Sequence, residues 1–442
     1  GCSLIIALDC GIKAIDKVQY ATDKGIDFII GDHHRPDAQV PDAVAILNPQ
    51  QADCPYPYKE LCGCGIGFKL VQAYQQHLSR PFEEIRPLLD LVAIATAADI
   101  VAMNGENRTL TYFGLEVINQ QPSAGVSALL GETQKGVVIS DVVFKAAPRI
   151  NAAGRIEHGK YAVALLTETD SRKAKEKAYE IELLNSERKE LDSSITQEAL
   201  AQIEENGEQN RYSTVVFNPH WHKGVIGIVA SRLIETYYRP TLVFTQSGDK
   251  YAASARSITG FDIYDALEQC SEYLEQFGGH TYAAGLTMRW DDVPRFVERF
   301  HQYVDSHILP EQTEAILHID EIIDFKDITK KMHHDLKKFS PFGPGNLKPR
   351  FCTNNVYDYG TSKVVGREQE HIKLELIDSK SSNVVNGIAF GQSASARYIK
   401  SKRSFDIAYT IEDNVFRHNN VQLQIEDIRL TESDENDEHN AL

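Results

Sequence analysis

The sequence predicts an α/β chain built on parallel sheet and closed by a small β-barrel, and three observations carry that prediction. Two apolar runs of strand length, residues 3–8 and 27–30, flank residues 12–25, where Ile12, Ile15, Val18 and Ala21 recur at helical spacing and Gly25 marks a stop. Strand, helix and strand within this length form a βαβ unit, with parallel strands and a right-handed crossover. The same order returns at residues 213–218, 224–237 and 241–245, so a second α/β domain is expected. After Pro341-Phe-Gly-Pro-Gly-Asn346 the period changes to two: Ile372, Leu374 and Leu376 alternate with polar residues, as do Val421, Leu423 and Ile425.

Between these landmarks, residues 41–57 are rich in turn formers and residues 65–78 and 88–98 read as helices. Residues 168–208 contain no Gly or Pro until Gly207 and are dominated by Glu, Lys, Ala and Leu. They predict a long charged helix with an apolar stripe at Ala178, Ile181, Leu184 and Leu191, a spacer between two domains. Lysine-rich residues 330–338 predict a helix facing solvent. The expected division is 1–167, 168–208 (connecting helix), 209–308, 309–430 (linker and barrel) and 431–442 (acidic tail).

A length of 442 residues suits about three domains. The longest apolar candidate, residues 88–103, contains Asp90 and Asp99, so no membrane-spanning helix is expected. Seven cysteines, an odd number, favour a reducing cytoplasm, with Cys54, Cys62 and Cys64 as free thiols rather than a zinc site. A net charge of −17, from 46 basic and 63 acidic residues, does not exclude nucleic acid. Affinity for phosphate depends on local Lys and Arg.

Candidate chemistry gathers in two places. Asp9 follows the first apolar run and Asp32-His33-His34 follows the second. Parallel strands bring both to one sheet edge, about 4.8 Å apart, where ligands bind in open α/β sheets. These oxygens and imidazole nitrogen suit Mn²⁺ or Mg²⁺. Asp32 is expected to orient an imidazole, and His34 to contact a phosphate or donate a proton. The second place is anionic in appetite: Gly278, Gly279 and His280 read as a Gly-rich turn whose N–H groups cradle phosphate. Ser254, Arg256 and His222 join them, the last opening a helix at Gly224. Arg149 and Arg155 flank Asn151, and either guanidinium could instead pair with a carboxylate. Tyr56, Tyr58, Tyr282 and Phe342 read as core rather than base-stacking residues.

Ala95-Thr-Ala-Ala-Asp99, Glu106-Asn-Arg108, Ala147-Pro-Arg-Ile-Asn-Ala-Ala-Gly-Arg155, His222-Lys-Gly-Val-Ile-Gly, Ser254-Ala-Arg-Ser257 and Gly278-Gly-His-Thr-Tyr-Ala-Ala-Gly285 follow Asp32-His33-His34 in order. Together they resemble the single-strand-specific 5′→3′ DNA exonucleases of the DHH phosphoesterase superfamily. The resemblance implies a DHH catalytic domain, a DHH-associated domain and an OB-like barrel, with single-stranded DNA threaded between the two α/β domains. It implies two Mn²⁺ or Mg²⁺ ions, with Asp9 bridging and His33 and Asp99 completing one ion. It also implies a monomer that works in DNA repair and recombination, beside a single-strand-binding protein or helicase. The family's Asp-x-Asp-Gly motif would lie upstream of residue 1, so the expectation for these residues alone is one weakly held ion and no turnover. The alternatives are a DHH enzyme acting on short oligonucleotides or cyclic dinucleotides, which has no need of the barrel, and a non-catalytic DNA-binding relative.

Overall fold

In a computed structural model of the chain, residues 1–131, 136–381, 383–414 and 421–430 are described; the acidic run 432–438 lies outside them. They divide into two compact units, Gly1–Ile85 with Ala95–Gly114 and Leu317–Leu442, and Arg86–Ile94 with Leu115–Ile316. No helix among the described residues is long and apolar enough to cross a membrane.

The first unit begins with a parallel sheet of β1 (Leu4–Leu8), β2 (Asp27–Gly31) and β3 (Ala45–Leu47) in that order. Leu8 stands opposite Gly31, so the residues that follow β1 and β2 emerge at one edge. The crossover helix α1 (Ile15–Thr22) is shorter than expected. Gly11, at φ 114°, starts a turn closed by the Ala14 N–H on the Gly11 carbonyl, and Ile12 is buried in that turn rather than on the helix. Helix α2 (Gly63–His77) starts two residues before the expected position because the Cys62 Sγ accepts the Gly65 N–H. Cysteine is outside the usual capping set, which hid the boundary. Helices α3 (Leu89–Ala98) and α4 (Gly105–Gln120) follow.

The barrel belongs to the same unit. Strands β9 (Phe351–Asp358), β10 (His371–Asp378), β11 (Val384–Ala389), β13 (Val421–Leu430) and β12 (Phe405–Asp413) pair in that order, and β12 returns to β9. Five strands thus close on a core of Leu374, Leu376, Phe405, Tyr409 and Leu423, which explains the period of two. The stretch on either side of Pro341 docks as well as links. Arg108 donates to the carbonyls of Lys338, Phe339 and Ser340, and the Met103 N–H donates to Pro344 at 2.6 Å. A Cβ on Gly343 would stand 2.9 Å from that of Met103, a closeness only glycine permits.

In the second unit, α5 (Ala147–Ile156) and the 35-residue α6 (Ser171–Glu205) pack together, α6 being capped by Asp170. The buried line of α6 is Ala174, Ile181, Asn185, Asp192, Ile195, Ala199 and Ile203, so two polar residues sit where an apolar stripe was expected. A five-stranded sheet follows in the order β4 (Thr214–Phe217), β5 (Thr241–Ser247), β6 (Lys250–Arg256), β8 (Ala283–Met288), β7 (Gln276–His280). Helix α7 (Ile226–Thr236) covers one face, and α8 (Val293–His307) places Phe296 and Phe300 against Leu242 and Phe244. Gly278 and Gly279 lie in β7, not in a turn: His280 pairs with Ala283, and Thr281 and Tyr282 form the hairpin tip. The period was misread because two glycines in an edge strand look like a loop.

Candidate metal centre and anion pocket

Asp9 leaves β1 at φ 65°, a left-handed conformation that Asp tolerates better than most residues. Its N–H is held by the Gly31 carbonyl at 2.8 Å. Gly63, at the start of α2, makes room for it: an added Cβ there would fall 2.1 Å from the Asp9 Oδ1. The carboxylate therefore rests against the positive end of a helix. Nothing in the linear pattern around residue 63 pointed to this contact.

His33 brings the first set together. Its Nε2 lies 3.2 Å from Asp9 Oδ1 and 3.5 Å from Asp99 Oδ2, with Asp99 delivered by the end of α3. The hydrogen bond to Asp9 raises the His33 pKa against the opposing effect of burial, and the charges of Asp99 and Asp9 add to the rise. Burial pushes Asp99 up, and Asp9 adds to the rise while His33 opposes it. Such a cluster favours positive charge at its centre, which a cation can supply. Ligand atoms of Asp9, His33 and His34 lie within 4.8 Å of one another, and the donor set of carboxylates and imidazoles fits Mn²⁺ or Mg²⁺.

Asp32, 1% exposed, is the scaffold beneath. Its Oδ2 accepts the Ile12 N–H at 2.9 Å, and its Oδ1 accepts the N–H groups of His33 and His34 at 2.8 and 3.2 Å. Oδ1 also stands 2.7 Å from His34 Nδ1. Burial raises its pKa, but these bonds outweigh burial and hold it below the usual carboxylate value. With Nδ1 fixed on Asp32, the half-exposed His34 ring presents Nε2 outward. Asn48 fixes the His34 carbonyl at 2.8 Å.

The anion candidates separate by partner. Arg149 is spoken for: it pairs with Glu182 and donates to the Leu129 carbonyl. Asn151 is exposed on α5. Arg155 and Arg256 have no carboxylate partner among the described residues. Arg155 donates to the Gly224 carbonyl at 3.1 Å, while Arg256 donates to Ser254 Oγ at 3.1 Å and the Ala255 carbonyl at 2.7 Å. A Cβ on Gly227 would lie 2.9 Å from both Arg256 Nη2 and Ser254 Oγ, so both side chains lie over the first turn of α7. His222 Nδ1 accepts the Gly224 N–H at 3.1 Å, shaping the entry to that helix. Beside Ser254 a groove of about 400 Å³ opens over Lys223, Gln276, Gly278 and Gly285. A Cβ at Gly278 would meet nothing within 4 Å, so this glycine leaves space rather than relieving a clash. His280 is exposed at the end of β7, and Tyr282 is 54% exposed at the tip, contrary to a core role. Tyr56 and Tyr58 are tied to Glu106 and Asn104.

Comparisons with known proteins agree with this geometry. Residues 3–96 match the DHH family, N-terminal domain, residues 209–306 the DHHA1 domain and residues 319–427 the RecJ OB domain. The chain is 38% identical over 390 residues to the single-stranded-DNA-specific exonuclease RecJ of Bacillus subtilis, covering 86% of this chain and 48% of that protein. It is 32% identical to the protein of the same name from Salmonella typhimurium, covering 97% of this chain and 77% of that one. It therefore spans about half the length of the first relative and about three quarters of the second. Among solved structures, RecJ of Thermus thermophilus in complex with Mn²⁺ superposes with a TM-score of 0.84 at 25% identity, over 98% of this chain and 62% of that one. An exonuclease RecJ bound to manganese gives 0.60 at 29% identity, over 71% of this chain and 78% of that one.

Proposed function

This chain belongs to the RecJ family of DHH phosphoesterases, and from that premise we propose that it hydrolyses single-stranded DNA from the 5′ end, releasing 5′-mononucleotides. The observation that carries the proposal is the convergence of Asp9, Asp99 and His33 Nε2 at one sheet edge, over a buried Asp32 that fixes both histidines. Asp9, His33 and Asp99 would hold Mn²⁺ or Mg²⁺. Divalent ions in such a site supply an activated water and neutralise charge on the attacking and leaving oxygens.

The remaining chemistry belongs to the chain's own side chains. His34, its Nδ1 held by Asp32, keeps Nε2 available to the scissile phosphate. Gly63 sets the Asp9 carboxylate on the α2 terminus, so its orientation needs no further ordering when substrate arrives. Arg155, Arg256 and Ser254 suit a terminal phosphate, and the flat floor of Gly278 and Gly285 suits the attached nucleoside. The closed barrel suits a single-strand platform. The odd number of cysteines accords with a cytoplasmic protein, and the chain is read as a monomer working beside a single-strand-binding protein or helicase in repair and recombination.

End-labelled single strands and matched duplexes, incubated with the full-length protein and Mn²⁺ or chelator, test the proposal. Labelled mononucleotide should appear first from 5′-labelled single strands and only with metal. Release of the 3′ label first, internal fragments, or equal attack on duplex would overturn it.

A further inference from the structure

Two chain segments frame the metal centre, and one buried side chain ties them together. The first, residues 54–62, runs into α2, where Gly63 seats the Asp9 carboxylate. The second, residues 99–104, leaves α3 at Asp99 and turns through Ile100 at φ 57°. Asn107, 0% exposed in the first turn of α4, donates through Nδ2 to the Glu60 carbonyl at 2.5 Å and to the Ala102 carbonyl at 3.0 Å. Both amide donors are spent, one on each segment. The reverse orientation would set the amide oxygen against two carbonyls, so the partners fix the assignment. Asn107 Oδ1 is buried with no partner among the described residues. An unpaired buried oxygen is costly, and an aliphatic side chain here would avoid that cost but lose both ties. The other links between the two sides are weaker or lie further out. Cys62 Sγ stands 3.5 Å from Thr96 Oγ1, and Tyr58 Oη donates to Asn104, 2.9 Å from its Oδ1, at the exposed rim.

We propose that Asn107 is a positioning residue of the metal centre. By pinning the Glu60 and Ala102 carbonyls to one amide, it sets the spacing between Asp9 and Asp99, and with it the coordination geometry offered to a divalent ion. The inference rests on reading Asp9, His33 and Asp99 as the cation site. Its consequence is selective, because Mg²⁺ demands near-ideal octahedral geometry whereas Ca²⁺ accepts irregular coordination. Loosening the spacing should therefore cost Mg²⁺ more than Ca²⁺. A purely structural role for Asn107 would lower stability and leave that ratio where it was.

The test measures Mn²⁺ binding to the full-length protein by electron paramagnetic resonance, without DNA, with Mg²⁺ and Ca²⁺ as competitors. Asn107→Leu, of similar size and without donors, should bind Mn²⁺ about tenfold more weakly and should lose severalfold in its preference for Mg²⁺ over Ca²⁺. Asn107→Ser, which keeps one short donor, should shift both in the same direction by less, and it decides the matter if the Leu variant does not fold. Thr111→Ala is the control: Thr111 is buried one turn further along α4 with its Oγ1 unpartnered, so its loss should leave both quantities unchanged. A folded Asn107 variant that binds Mn²⁺ within about twofold of the parent, or that loses Mg²⁺ and Ca²⁺ alike, overturns the inference. So does a Thr111→Ala protein that weakens Mn²⁺ as much as Asn107→Leu. A parent protein that takes up no Mn²⁺ overturns the reading of the cation site itself, and the inference with it.

Discussion

Replacing Asp32 by Asn removes one negative charge and one acceptor from a site where four donors converge. The carboxylate takes Ile12 N–H on one oxygen, and His33 N–H, His34 N–H and His34 Nδ1 on the other. An amide offers one oxygen and two donors. If the oxygen keeps the three histidine contacts, the NH₂ faces the Ile12 N–H across 2.9 Å, two donors in a place 1% exposed. Losing one charge-assisted bond and stranding a buried donor should cost roughly 2–4 kcal/mol of stability. Looser anchoring of both histidines should weaken Mn²⁺ binding about 10–100-fold, the usual effect of altering the group that orients a ligand. The pH dependence has a definite sign. Asp32 has a lowered pKa when folded, so its contribution is fully present above the unfolded value of 3.8 and fades as pH falls through the folded value. Urea unfolding and a Mn²⁺ titration of Asp32→Asn give both quantities. Stability within about 0.5 kcal/mol of the parent, together with affinity within about threefold, would refute the reasoning.

Three further outcomes follow from named contacts. Gly63→Ala should displace the Asp9 carboxylate, since the new Cβ would sit 2.1 Å from Oδ1, and so lower Mn²⁺ affinity about tenfold or more while circular dichroism shows the fold kept. His301, bonded to Ser213 Oγ at 2.7 Å, has its pKa lowered to about 4 by burial and by Arg211. The unfolded chain takes up that proton first, so stability should fall between about pH 6.5 and pH 4, by roughly 1–2 kcal/mol after allowance for its partial exposure, and His301→Gln should flatten the slope in urea titrations. Arg108→Ala removes the guanidinium that holds three successive carbonyls, and should cost about 1–2 kcal/mol and expose residues 338–346 to limited proteolysis; unchanged cleavage kinetics would show the segment to be held by other contacts.

What could be read from the sequence was whatever repeats or ends on a strand. Asp9 and the Asp32 triplet announced themselves because each follows an apolar run, and parallel pairing put them together as expected. Asp99 needed the resemblance, since a carboxylate after a helix has no periodic signature. Gly63 and Cys62 were invisible: one acts by lacking a side chain and the other caps with sulfur. On α6 the apolar reading passed over Asn185, Arg188 and Asp192, because polar residues are buried only when distant partners such as Arg232 meet them. Gly278 was recognised as important and given the wrong conformation, since glycine marks both tight turns and open strand floors.

The central claim is that Asp9, His33 and Asp99 form a divalent-cation site, and equilibrium Mn²⁺ binding followed by electron paramagnetic resonance tests it most directly. The account predicts saturable Mn²⁺ uptake by the parent chain, displaced by Mg²⁺, and weakened at least tenfold in Asp9→Ala and in His33→Ala without loss of fold. Mn²⁺ affinity unchanged in both variants, or no uptake by the parent, would contradict it.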